Sequence, residues 1–258
     1  MSDTYSKQWT VERFDTLDST NDEARRRVLA AAPSGRTVIW ADRQTKGRGR
    51  GSNVWWSDEG SLTFTLAIDP RHERIEPSQE PLMALVSASS CVRVVERLLG
   101  RAISIRWPND IEIDGRKLAG ILVERVETPT GPWLLIGIGI NVSSNLDVAG
   151  TAIRTRATSL AESGLGRIRP DTRRRWRLYV LLKLLSEVAY QVDGLSNDSD
   201  PLSDFFELRD SLAGQAVRIQ QGEKVIEGRG CGINPDGSLR LMTDGGLTAI
   251  YGGQVLRD

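Results

Sequence analysis

Gly47, Arg48, Gly49, Arg50 and Gly51 alternate inside a twelve-residue stretch, Gln44 to Trp55, that reads QTKGRGRGSNVW. Glycines at every second position admit backbone conformations closed to other residues and let a ligand approach the main chain. The arginines between them are fixed-charge forks that match carboxylate or phosphate. A loop of this kind ending in tryptophan suits an anionic, partly aromatic small molecule, and a nucleotide fits that description. The same composition also describes a solvated surface turn or an RGG-type nucleic-acid contact, so the loop alone leaves these readings open.

A second dense stretch, Ile105 to Glu124, reads IRWPNDIEIDGRKLAGILVE. In Trp107-Pro108-Asn109-Asp110 a ring and a backbone-fixing proline are followed by two short polar side chains. Lys117 opens the next run, and with Ala119 and Gly120 behind it the amine can point into a cleft with little bulk beside it. Taken singly, these features also describe a surface turn and an edge-strand lysine that discourages aggregation. Ser19, Thr20 and Asn21 stand at a helix start, where they can satisfy orphan amides or hold a neutral polar ligand head. Asn141 closes a glycine-spaced run and either terminates a strand or reads an adenine edge bidentately.

The elements that position these residues follow from periodicity. Thr37–Ala41 and Ser61–Ile68 read as strands flanking the arginine loop. Thr20 and Glu23 have capping-box spacing before DEARRRVLA. Residues 81–99 read as a largely buried helix stopped by Gly100. Asp114-Gly115 signals a type I′ hairpin. Pro132 to Val142 reads as a buried strand in which Gly137 and Gly139 permit close approach. A polar loop with arginines spans Ser143 to Thr158, and Asp171 to Val192 is helical in period. Asp193 to Asp200 looks like a linker, and a short helix is expected through Phe205, Phe206 and Leu208. From Leu212 onward, short runs separated by Gln221-Gly222, Asp236-Gly237 and Asp244-Gly245 predict a small barrel that serves as a lid or docking platform.

With 258 residues the chain has room for one large core and one small one. Its 34 basic and 34 acidic residues cancel, so any anion site is local and a general nucleic-acid surface is disfavoured. The two cysteines, Cys91 and Cys231, suggest a reduced, cytoplasmic setting. No signal peptide or membrane-length apolar run is evident. One histidine, His72, in the charged stretch DPRHER excludes Ser-His-Asp chemistry in practice and offers no metal cluster.

Together these motifs resemble the biotin protein ligases over nearly the whole chain: Ser19-Thr20-Asn21, Gln44 with Gly47 to Arg50, Trp55 at its spacing, Trp107 to Asp110, Arg116 to Glu124, Gly137 to Asn141, and the C-terminal barrel. The resemblance implies an α+β fold: a mixed β-sheet flanked by helices, the class II synthetase-like biotin ligase fold, over residues 1–209, with an SH3-like barrel over residues 210–258. About twenty residues precede the first motif, too few for a winged helix, so the resemblance is to the type without a DNA-binding domain and no DNA partner is expected. It implies that biotin and MgATP form biotinyl-5′-adenylate and pyrophosphate, and that a lysine of a biotin carboxyl carrier protein, such as that of acetyl-CoA carboxylase, then attacks the mixed anhydride.

By the same resemblance, Ser19, Thr20, Asn21 and Gln44 hold biotin, and Arg48, Gly49 and Arg50 belong to the loop that orders over biotin and the adenylate. Lys117 bridges the biotin carboxyl and the α-phosphate; Arg48, Arg50 and Asp110 join it as catalytic candidates. Trp55, Trp107, Asn109 and Asn141 join Arg50 and Lys117 at the nucleotide, with Trp55 near adenine, and Asp110 is the candidate for Mg²⁺. Ser52 and Asn53 replace a later glycine and arginine of the family loop, which bears on adenylate retention. Arg106 stands where lysine is common. A lipoate-type ligase and a non-enzymatic nucleic-acid or adaptor protein are the alternatives, and a homodimer through a sheet edge is possible.

Overall fold

The computed structural model describes residues 6–195 and 203–256. Seven strands form the main sheet: β1 (Ser6–Leu17), β2 (Gly35–Gln44), β3 (Ser61–Ile68), β4 (Ser104–Arg106), β5 (Asp110–Ile113), β6 (Arg116–Thr128) and β7 (Gly131–Asn141). Their order is β1-β2-β3-β7-β6-β5-β4. The β1–β2 pair is parallel and the others are antiparallel, so the sheet is mixed. Helix α1 (Thr20–Ala30) makes the parallel crossover, while α2 (Met83–Leu99) and α4 (Arg173–Gly194) lie together on the opposite face. The remaining helices, α3 (Thr151–Arg154) and α5 (Ser203–Glu207), are short.

Strand alternation sorts side chains between the faces. Leu62, Phe64 and Leu66 of β3 and Ile136, Ile138 and Ile140 of β7 enter the large core beneath α2 and α4. Trp133 and Leu135 pack under α1 with Ala24 and Val28 in a smaller cluster. The same period places Thr63 and Thr65 of β3 beside Gly139 and Gly137 of β7, their register partners, and Gly139 beside Gly120 of β6. The α1 side of the sheet therefore carries a strip with almost no side-chain bulk. A ligand can lie there.

The second sheet is antiparallel, with β8 (Ala216–Gln221), β9 (Lys224–Ile233), β10 (Leu239–Thr243), β11 (Gly246–Ile250) and β12 (Gln254–Val255) in the order β11-β10-β9-β8-β12. It is the small SH3-like domain that the sequence predicts, with β11 and β12 at the two ends of the strand order. It docks on the first sheet: Ile105 exchanges backbone hydrogen bonds with Arg209 and Ser211, and Trp107 Nε1 donates to the Gly237 carbonyl at 3.0 Å. Leu212, Val217, Ile219 and Leu239 belong to the same apolar cluster as α2.

The hairpin at Asp114-Gly115 has φ of 51° and 72°, as a type I′ turn requires. Gly100 caps α2 in the left-handed region at φ 65°. Two expectations need correction, and one strand was not expected. The capping box is not made: Ser19 is the N-cap, no side chain caps the helix, and Glu23 pairs with Arg26 and Arg27. Strand β1 is the unexpected one, although Trp9, Val11 and Arg13 alternate with Thr10 and Glu12. The expected linker begins late, because α4 runs to Gly194; residues 196–202 lie outside the described residues. Among the described residues no helix is long and apolar enough to cross a membrane. Both cysteines are free thiols.

Candidate active site

The bare strip on the sheet is the floor of the site, and the loop between β2 and β3 is its roof. Ser19, Thr20 and Asn21 are all buried at the start of α1. The Thr20 amide donates to Gln44 Oε1 at 2.7 Å, and its hydroxyl reaches the same oxygen at 3.1 Å. Thr65 Oγ1 lies 2.8 Å from Thr20 Oγ1 and 2.6 Å from Asn21 Oδ1. These tertiary partners on β2 and β3 divert Thr20 from the capping role. Asn21 also donates to Glu124 Oε2 at 2.8 Å.

The two loop arginines have different fates. Arg48 pairs with Asp22 and, at 2.6 Å, with Glu124, so its charge is balanced by carboxylates of α1 and β6. It works as a latch that fastens the loop to the sheet. Arg50 instead donates to the Gly253 carbonyl of the second sheet at 3.2 Å. Burial pushes the Arg50 guanidinium below its ordinary pKa, with Asp110 pulling the other way. A half-buried cation whose desolvation is incompletely offset favours an arriving anion.

Burial also pushes Glu124 up, but hydrogen bonds from Asn21 and Arg48 outweigh it, so its carboxyl titrates below the usual range. Trp55 closes the loop through its amide, which donates to the Gly47 carbonyl at 2.9 Å. Its indole lies against Gly139 with Nε1 buried and unpartnered, and the Lys117 ammonium stands 5.8 Å from the ring centre.

Lys117 Nζ is 2.6 Å from Asp110 Oδ1 and lies over Gly120. Its backbone is clamped from the loop after β7: Lys117 N donates to Arg156 O at 2.7 Å and Thr158 N donates to Lys117 O at 2.9 Å. Asn141 holds that loop, its side-chain amide donating to the Thr158 carbonyl at 3.0 Å. The amide that the sequence offers to an adenine edge is thus engaged in bracing the backbone beside Lys117. Asn109 is similarly used, donating to the Ile121 carbonyl at 2.6 Å.

These residues line two adjoining cavities. A small one, about 80 Å³, lies between the Ser19–Asn21 turn, Gln44, the arginine loop and the glycine strip. A large one, about 680 Å³, runs between Trp107 to Asp110, the loop after β7 and residues 253–256 of the second sheet. Arg50, Trp55, Asn109 and Lys117 border both. Every site residue read from the sequence lines one or both. Sequence reasoning missed Thr63, Glu124, Arg156 and the wall from Gly253 to Leu256. Thr63 had a signal, its place on one face of an alternating strand; the C-terminal wall had none.

A small polar-ended slot joined to a nucleotide-sized cavity at a lysine and an arginine is an arrangement for coupling an acid to a nucleotide. A profile of the biotin/lipoate A/B protein ligase family matches residues 13–141, half of the chain. The chain belongs to that family. The profile of the biotin protein ligase C-terminal domain matches residues 213–257, the second sheet. Among relatives of this ligase-family chain, the bifunctional ligase/repressor BirA of Bacillus subtilis is 32% identical over 243 residues, covering 93% of this chain and 72% of that one. The biotin–[acetyl-CoA-carboxylase] ligase of Mycobacterium tuberculosis is 26% identical, covering 92% and 85%. The structure of the Aquifex aeolicus biotin protein ligase in complex with biotin and ATP superposes with a TM-score of 0.76 at 28% identity, covering 96% of this chain and 97% of that one.

Proposed function

We propose that this chain activates biotin with ATP and transfers it to a lysine of a carboxyl carrier domain. The observation that carries the proposal is the meeting of Lys117 and Arg50 at the border between the small slot and the large cavity. The ureido ring of biotin enters the slot toward Ser19, Thr20, Asn21 and Gln44, with Gly49 above, and its chain runs out toward the large cavity. Its carboxylate points to Arg50 and Lys117. ATP occupies the large cavity, with Trp55, Trp107 and Asn109 at its border.

In the first step a biotin carboxylate oxygen attacks the α-phosphorus and the bond to pyrophosphate breaks. Two anions must approach bonding distance, and Lys117 with Arg50 offsets that repulsion and stabilises the transition state. Arg48 contributes by holding the loop shut. Asp110 aims the Lys117 ammonium through their ion pair. No cluster of three or more acidic, histidine or cysteine ligands occurs among the described residues. Among the described residues lining the large cavity, Asp110 is the carboxylate that would hold a Mg²⁺. Such an ion would add charge neutralisation on the triphosphate.

In the second step the anhydride is already activated, so the chain mainly orients a neutral acceptor amine. Biotin-dependent exchange of labelled pyrophosphate into ATP tests the reading. Exchange with biotin and none with lipoate is expected; exchange with lipoate alone, or with neither acid, refutes it.

A further inference from the structure

Helix α4 (Arg173–Gly194) is apolar on both sides. Its inner side buries Val180, Leu181, Leu184 and Leu185 in the large core, as an ordinary amphipathic helix does. Its outer side exposes Leu178, Tyr179, Leu182 and Tyr190 at 41, 45, 54 and 74%. Four large apolar side chains gathered on one helix face mark an interaction surface. The helix lies across the sheet from the biotin slot, so the proposed reaction makes no use of this face.

Two features say what covers it. Along the outer side Arg175, Tyr179, Leu182, Ser186, Ala189 and Asp193 recur at alternating intervals of four and three, the heptad seam by which one helix meets another. A second α4 running antiparallel, related by a two-fold axis level with Leu184, sets Tyr179 opposite Ala189 and Leu182 opposite Ser186. In the same register Leu178 meets Tyr190 on the flank, and Arg175 meets Asp193. Large side chains face small ones, and a cation faces a carboxylate that is half exposed while pairing with Lys7 and Arg36 in its own chain.

The second feature is charge along the axis. The first turn of α4 holds Arg173, Arg174 and Arg175 and no acidic residue, while its last turn holds no basic one. The positive end of the macrodipole is therefore loaded with like charge. An antiparallel copy brings those arginines beside the negative end of its partner, and does so twice. A lipid surface would engage the basic end and the apolar centre, but it gains nothing from the small residues Ser186 and Ala189 within the seam.

We propose that the outer face of α4 is a self-association surface, on which a second copy of this chain packs with α4 antiparallel to α4. Two-fold symmetry uses the same patch on both copies, so the assembly closes as a dimer. Both sheets stay unextended, and both candidate active sites remain open on the far side. The seam is about 27 Å long, which places the dimer at the weak end of interface sizes.

Sedimentation equilibrium of the full chain from about 1 to 200 μM covers the affinity expected of such a contact. The mass should rise with concentration toward twice that of the monomer. Leu182→Glu should raise the dimer Kd at least about tenfold by placing a charge at the centre of the seam. Arg175→Glu, which sets like charges opposite each other, should also raise it. Both side chains are exposed, and circular dichroism at the lowest concentration checks that each variant folds. The register is read by cross-linking: Leu182→Cys and Ser186→Cys are made separately in a Cys231→Ser chain, Cys91 being buried. A mixture of the two should form disulfide dimers faster than either alone.

A chain that stays monomeric throughout overturns the proposal; binding of that monomer to phosphatidylserine vesicles would assign the face to a lipid surface instead. A dimer whose Kd neither substitution changes also overturns it and places the contact elsewhere, as at a sheet edge. Equal cross-linking in mixed and separate samples overturns the antiparallel pairing and the proposal with it. If Leu182→Glu fails to fold, Arg175→Glu decides.

Discussion

Gly139→Ala tests the geometry of the site with a single methyl group. A Cβ built on Gly139 would lie 2.6 Å from Cζ2 and 2.9 Å from Cδ2 of Trp55, and closer still to Cε2. Restoring ordinary carbon contacts requires the indole to move by about 1 Å. The backbone at position 139 cannot yield, since it pairs with Thr63 on one side and Gly120 on the other. The ring must give way, and it borders both cavities and faces Lys117. Overpacking of this kind costs about 1–3 kcal/mol of stability, which the fold can absorb.

A displacement of about 1 Å in a positioning element costs on the order of 100-fold in rate. Adenylate formation should therefore fall far more than stability does. The assay is biotin-dependent pyrophosphate exchange beside a thermal melt, with Gly194→Ala as control because nothing lies within 4 Å of a Cβ there. A Gly139→Ala protein that exchanges pyrophosphate within threefold of wild type would refute the claim that the indole is packed in place for the reaction.

Lys117→Ala should reduce pyrophosphate exchange by about 100- to 1,000-fold, the scale of a lost transition-state donor; the side chain is 32% exposed, so circular dichroism melts should barely change. Asn141→Ala should cost about 1–3 kcal/mol in a urea melt by leaving the buried Thr158 carbonyl unpaired, and should slow exchange by loosening the clamp on Lys117. Glu124→Gln removes the anion that holds Arg48. Because the folded-state pKa of Glu124 is depressed, its contribution is fully present above the ordinary glutamate value of 4.5 and fades as pH falls through the lower folded value. The stability difference between wild type and this variant should therefore be largest near neutrality and close in acid; a difference that widens in acid would contradict the latch.

The sequence by itself determined the local geometry. Asp114-Gly115 fixed the hairpin, because few other residue pairs accept positive φ twice in succession. GIGIN specified a strand with isoleucines on one face and bare backbone on the other, because strand period is two. Gly100 ended α2 for the same conformational reason. Arg48 and Arg50 could not be told apart in this way, being identical side chains in a repeating loop. Their difference arises because Glu124, 76 residues from Arg48, lies beneath one guanidinium while Gly253, 203 residues from Arg50, lies beside the other. The wall from the second sheet belongs to the same class. Periodicity and turn chemistry act over a few residues and are written in the chain; charge balance and enclosure depend on which distant segments the sheet order brings together.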